Sequence, residues 1–140
     1  MAVPWVTAVP VPESVSLATA AATHVGGLTA LTFLTEAYAV KRGDTILVHT
    51  VAGGLGLLMT QIAKARGATV IGTTSSDEKA VVAKAAGADH VIIYKTEDTV
   101  KRVLEITGGK GVDAVFDGVG KDTFVMLAAS SDDWSTDLPV

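Results

Sequence analysis

The chain has 140 residues, 49% hydrophobic and 19% charged, with no cysteine and a formal net charge of -4. A charged fraction below the usual ~25% together with this apolar content excludes a disordered segment, and the length suits one domain with its own core. The acidic balance without any basic run disfavours nucleic acid as a partner, while the lack of cysteine excludes a disulfide framework or thiolate zinc site and fits the cytoplasm.

Residues 1–13 hold three of the four prolines and alternate valine with polar positions, so they read as an extended, polyproline-like lead-in or edge strand. Met1 to Trp5 shows neither the basic and apolar regions of a signal peptide nor the Arg-rich pattern of a transit peptide. Ser14 or Ser16 can cap a helix from Leu17, in which Leu28, Leu31, Leu34 and Tyr38 recur at helical spacing. The Gly26-Gly27 pair predicts two helices joined near that point. Val15 to Leu34 is uncharged and long enough to raise a membrane span, but its Ser/Thr content, His24, glycine pair and lack of basic flanks argue against one.

After the Lys41-Arg42-Gly43-Asp44 turn, Thr45 to Thr50 is β-prone, and Leu55 to Arg66 reads as an apolar-faced helix that Gly67 stops. Thr69 to Thr74 is a second strand. Ser76, Asp77 and Glu78 start a helix that continues to Ala86 before Gly87, and His90 to Tyr94 is a third strand. Thr96, Glu97 and Asp98 repeat the start signal for a helix to Thr107, after which Gly108-Gly109-Lys110-Gly111 turns into a fourth strand, Val112 to Asp117. This alternation predicts an α/β fold over residues 44 to 120. It is a Rossmann-type doubly wound parallel sheet in the order 3-2-1-4, with helices on both faces. The dinucleotide-binding order continues 5-6, and residues 125–140 show no strand, so the sheet is expected to be truncated. Strand four is then an edge at which a homodimer or another chain can pair. The domain plan is a lead-in at 1–13, a Rossmann-like domain at 14–124 and a divergent tail at 125–140.

Val51-Ala52-Gly53-Gly54-Leu55-Gly56 stands at the first strand-to-helix junction. Glycines there let backbone N–H groups approach a pyrophosphate, and the helix N-terminus adds partial positive charge. Gly53 and Gly56 take the second and third glycine places of the fingerprint, and Val51 breaks the first. The structural alternative is a tight turn in which Gly56 permits helix–strand packing. About twenty residues on, where an NAD enzyme places a carboxylate for the ribose, the second strand ends in Thr73-Thr74-Ser75-Ser76. Hydroxyls and Lys79 accommodate a phosphate there, so NADP(H) is favoured over NAD(H). Asp77 falls at a helix start as a dipole complement, and Lys79 also reads as a solvated helix charge. His24, His49 and His90 fall on separate elements without ligand spacing, and no Ser-His-Asp order or carboxylate pair stands out, so no metal site and no catalytic residue is assigned.

Three blocks carry a wider resemblance. They are His49-Thr-Val-Ala-Gly-Gly-Leu-Gly56, Ala-Gly-Ala-Asp89-His-Val-Ile-Ile-Tyr94, and Ile-Thr-Gly-Gly-Lys-Gly-Val-Asp-Ala-Val-Phe-Asp117-Gly-Val-Gly120. From about Val11 to Phe124 the sequence resembles the zinc-free quinone oxidoreductases, the zeta-crystallin-like branch of the medium-chain dehydrogenase/reductase superfamily. The resemblance implies hydride transfer from NADPH to a quinone or activated enone without a catalytic metal. It further implies that Gly53, Gly54, Leu55 and Gly56 line the pyrophosphate and that Ser75, Lys79 and Tyr94 surround the adenosine 2′-phosphate. Thr29 then lies near the nicotinamide, and Gly118, Val119 and Gly120 beside the cofactor ribose. Each has a structural alternative: Tyr94 as a strand end, Thr29 as a helix-interior residue, the last glycines as turn geometry. Thr50 stands where the family has alanine.

The family's barrel-like N-terminal domain, its returning C-terminal segment and its last two strands, which form its dimer interface, have no counterpart in the sequence. The expectation is a truncated relative, a fragment or a product of an altered reading frame. Two functions follow: an NADPH-dependent quinone oxidoreductase-like protein, or a truncated non-catalytic nucleotide-binding or interaction module, since hydride transfer needs both reactants enclosed in a water-poor site. Single-stranded RNA binding, known in some relatives, lacks an aromatic-basic stacking platform here.

Overall fold

The computed structural model of the chain describes residues 9–120 and Thr123, so the lead-in before residue 9, the domain end at 124 and the 125–140 tail lie outside the described residues. Ser16 caps helix α1 (Leu17–Thr32), its Oγ accepting from the Thr19 N–H at 3.1 Å. The helix runs through Gly26-Gly27 without a break, contrary to the two helices expected there. The reason is tertiary: a Cβ on Gly26 would stand 3.1 Å from Leu58 Cδ1. Lacking one, α1 closes against α2 (Gly54–Ala65), and that contact offsets the cost of a mid-helix glycine, about 1 kcal/mol.

The helical path changes later, in a π-helical turn over Phe33–Ala37, after which Tyr38 is extended. Arg66 holds this exit, its Nη1 donating to the carbonyls of Leu34 at 2.7 Å and Val40 at 3.4 Å. The inward stripe is Gly26, Ala30 and Leu34, while Leu28 and Leu31 point outward. By length and composition Leu17–Ala37 is apolar enough to cross a membrane, with mean hydropathy 1.4. Ala30 and Leu34 are nonetheless part of the domain's core.

Four β-prone runs form β1 (Thr45–Val48), β2 (Thr69–Thr74), β3 (His90–Ile93) and β4 (Ala114–Phe116), joined through α2, α3 (Asp77–Ala85) and α4 (Thr99–Thr107). All pairs are parallel and the order is β3-β2-β1-β4, as expected for a doubly wound sheet. Alternation along the strands divides the core. Ile46, Val48 and Val70 pack with Met59 and Ala63 of α2 and Ala83 of α3. Leu47, Ile71 and Ile92 face the other way, against Val103 of α4. The chain thus changes sides between β3 and β4, which makes the gap between β1 and β4 the topological switch point where such sheets bind ligands.

Helix ends follow local chemistry in part. Asp98 caps α4 by accepting from the Lys101 N–H, and Gly108 closes it with φ +64°. Ser76 occupies the cap position of α3 without bonding the helix amides. Its hydroxyl instead serves Glu78, whose carboxyl it holds below the usual range. Asp89 ties α2 to the sheet, accepting from Lys64 Nζ at 2.9 Å and the Val70 N–H at 2.7 Å. Burial would raise its pKa, but these donors outweigh burial and the carboxyl titrates below its ordinary value.

Candidate functional site

The carboxyl ends of the strands carry the site. Beyond β1, the His49 N–H donates to the Phe116 carbonyl and the Val51 N–H to the Thr73 carbonyl, so the loop leaves between two neighbouring strands. Thr50 turns the chain with φ +54°, a left-handed conformation that a β-branched residue rarely adopts. The Gly53 N–H closes the turn on the Thr50 carbonyl at 2.9 Å. Gly53 then caps α2 with no side-chain oxygen, so the first amides of α2 have no side-chain cap.

Two glycines make this geometry. A Cβ on Gly56 would stand 2.6 Å from the Thr50 carbonyl oxygen and 2.7 Å from that of Val51, so the helix can approach the loop only with glycine there. The other is Gly72 of β2, outside the motif. A Cβ on it would fall 2.4 Å from Val51 Cγ1 and 2.5 Å from Val51 Cβ. Val51, fully buried, thus fills space left by Gly72, which explains how the loop accepts valine at its first glycine place.

A small cavity of about 130 Å³ lies beside the loop, bounded by Gly53, Thr74, Ser75, Lys79 and Tyr94 and by Thr50 and Ala52. The expected Gly53, Ser75, Lys79 and Tyr94 therefore share one wall system. Among the described residues no carboxylate lines it, and Asp77 is exposed in the first turn of α3. A larger, mostly apolar cavity of about 410 Å³ opens at the switch point, where Leu55 and Gly56 meet Phe33, Tyr38, His49, Phe116, Asp117 and Gly118. Gly54 opens α2 between the two, with open space where its Cβ would be.

The remaining expected residues are not brought into either cavity. Thr29 is half-buried in α1 with its hydroxyl donating to the Val25 carbonyl at 2.8 Å. The Val119 and Gly120 amides donate to the Asp117 carboxylate, at 2.8 and 3.4 Å, which makes the segment a turn on that aspartate. Thr123 Oγ1 also donates to Asp117, at 2.7 Å. Burial would raise Asp117, but these donors and His49 hold it below the ordinary carboxylate range.

The glycine motif does not include His49 and Asp117, although each directly follows a strand at the switch point, which is the signal that could have found them. His49 is 7% exposed and lines the larger cavity. Thr73 Oγ1 accepts from the Thr50 N–H at 3.4 Å and is hydrogen-bonded to His49 Nδ1, a pattern that fits a hydroxyl donating to a neutral ring. Burial lowers the His49 pKa, with Asp117 opposing. The ring also meets Tyr94, centroids 5.7 Å apart and planes tilted by 34°. Among the described residues, no three His, Asp or Glu side chains gather where they could hold a metal ion.

Comparison with known proteins agrees with this geometry. Residues 54–131 match the family described as zinc-binding dehydrogenase. A 2-haloacrylate reductase of Burkholderia is 52% identical over 97 residues, covering 69% of this chain and 29% of that protein. A quinone oxidoreductase of Salmonella typhimurium is 50% identical over 113 residues, covering 81% of this chain and 35% of that protein. The crystal structure of Escherichia coli quinone oxidoreductase complexed with NADPH superposes with a TM-score of 0.84 at 44% identity, covering 86% of this chain and 37% of that one. The chain spans about a third of the length of these relatives. It belongs to the zinc-binding dehydrogenase family, on the zeta-crystallin-like quinone oxidoreductase branch of the medium-chain dehydrogenase/reductase superfamily.

Proposed function

We propose that the chain is the NADP(H)-binding part of a quinone oxidoreductase-like enzyme. The observation that carries this reading is the small cavity at the ends of the strands, where Ser75, Lys79 and Tyr94 meet the glycine loop and, among the described residues, no carboxylate intrudes. The fit is chemical. A hydroxyl and an ammonium suit a 2′-phosphate, and the first amides of α2, free of any side-chain cap, suit the pyrophosphate. Gly53, Gly54, Leu55 and Gly56 take the pyrophosphate in this reading, with Ser75, Lys79 and Tyr94 on the 2′-phosphate. The apolar cavity at the switch point receives the nicotinamide end, with Gly118 in its lining, while Thr29 near the nicotinamide and Val119 and Gly120 beside the ribose are carried by the resemblance alone. NADPH, when bound, supplies a hydride for a quinone or an activated alkene. The protein's own residues bind, orient and exclude water.

The same reading divides the chain at 14–124, places it in the cytoplasm, and takes the reaction as zinc-free on the resemblance to that branch. Among the described residues β4 has a strand, β1, on one edge only, and a second copy is the simplest partner for the other.

Titration of the purified chain with NADPH and NADH tests the cofactor assignment. NADPH is expected to bind more tightly, and Lys79→Ala to narrow the gap by about tenfold, the lower range of a charge-assisted bond for an exposed lysine. Equal affinities sink the reading. NADPH oxidation with a simple quinone separates an enzyme from a nucleotide-binding module without turnover.

A further inference from the structure

We propose that His49 is a specificity-determining positioning residue whose buried ring backs Tyr94 and so sets the wall of the small cavity against an adenosine 2′-phosphate. The inference rests on the NADP(H) reading above and adds to it a residue that does not line that cavity.

Tyr94 follows β3 and lines the small cavity, while its side chain is 40% exposed. Its backbone is held by the Thr74 carbonyl, which accepts from the Tyr94 N–H at 3.1 Å. That bond fixes the Cα position and leaves the ring's two side-chain torsions free. Among the described residues, the aromatic partner of Tyr94 is His49. His49 can serve as a backstop because it is itself fixed. Its ring is buried, and Thr73 of β2 is hydrogen-bonded to Nδ1. Thr73 is held in turn by the Thr50 N–H in the phosphate loop.

A relay of contacts therefore joins the loop, β2, β1 and β3, ending on the tyrosine that bounds the phosphate cavity. Thr50, where the relay starts, lines both cavities. A cofactor lacking the 2′-phosphate makes no use of the Tyr94 wall, so loss of the backstop weakens NADPH selectively.

Two near-isosteric variants separate the ring from the hydrogen bond, read by calorimetric titration with NADPH and NADH. His49→Gln keeps an acceptor for Thr73 but has no ring. It is expected to weaken NADPH roughly three- to tenfold, the range of an aromatic pair, and to leave NADH within about twofold. His49→Phe keeps the ring and loses the acceptor, and is expected to retain most of the preference for NADPH. Tyr94→Ala, which removes the wall itself, is expected to weaken NADPH at least as much as His49→Gln, and the double variant to add nothing beyond Tyr94→Ala, because both act through one wall.

Equal weakening of both cofactors by His49→Gln, multiplied losses in the double variant, or preference kept by Gln and lost by Phe overturns the proposal. A wild-type chain with no preference for NADPH refutes the cofactor reading itself. A preference that Lys79→Ala reduces and His49→Gln does not touch refutes only the role given to His49.

Discussion

The pairing of Val51 with Gly72 makes the sharpest energetic prediction. In Gly72→Ala the new methyl would sit 2.4 to 2.6 Å from three atoms of the Val51 side chain, where carbon atoms normally stand ~3.5–4.0 Å apart. Val51 cannot swing aside, since it is β-branched, fully buried and held by its N–H to the Thr73 carbonyl. The strand or the loop must therefore shift by about an ångström, an overpacking cost of about 1–3 kcal/mol. Val51→Ala alone removes two buried methyls, worth roughly 1.6 kcal/mol before any cavity cost. In the double variant the methyl added at position 72 occupies the vacated space, so the two losses should not add. A favourable coupling of about 1–2 kcal/mol is expected. Urea unfolding of the four proteins measures the cycle, and a thermal melt should show Gly72→Ala lowered by about 3–10 °C. A neutral Gly72→Ala, or a double variant equal to the sum of the singles, would refute the claim that Gly72 is what lets valine stand in the loop.

The loop glycines should differ sharply. Gly56→Ala drives a methyl into the backbone of Thr50 and Val51 and should cost about 2 kcal/mol or more together with NADPH affinity, whereas Gly54→Ala meets nothing within 4 Å and should change stability by less than ~0.5 kcal/mol. Equal melting temperatures for the two would contradict the close approach. Stability should fall with acid in two separate windows. The folded pKa of His49 is depressed by burial, so the unfolded chain binds the proton more readily; the stability it contributes is complete above the ordinary value of about 6.5 and declines as pH falls from there towards the folded pKa. Asp89 and Asp117 are also depressed, so their contributions hold above about 4 and are lost as pH falls through their folded values. Denaturant unfolding from pH 8 to 3 should show both declines, and His49→Phe should abolish the first while leaving most of the second, which rests chiefly on the hydrogen-bond donors to Asp89 and Asp117; an unchanged profile in that variant would show that the histidine is not the group responsible.

Much of the fold is legible in local sequence because its causes are local. Thr69 to Thr74 is strand in both expectation and structure because a β-branched run between Gly67 and Ser75 has few alternatives. Asp98 and Gly108 mark the ends of α4 through bonds made within one turn. Gly26-Gly27 misleads for the opposite reason. Glycine costs helix stability locally, and only the side chain of Leu58, from another helix, makes its small size useful.

The residues that share the small cavity are likewise legible as neighbours, because Gly53, Ser75 and Lys79 lie near strand ends that periodicity locates. Sequence alone determined a doubly wound sheet in the order 3-2-1-4, a glycine loop opening a helix, and a strand end without a carboxylate. Tertiary structure alone decided that Gly72 makes room for Val51 and that His49 meets both Thr73 and Tyr94. Those facts depend on parallel strands that bring residues some twenty positions apart into contact, His49 and Thr73 being 24 apart, and at that distance neither propensity nor spacing carries a signal.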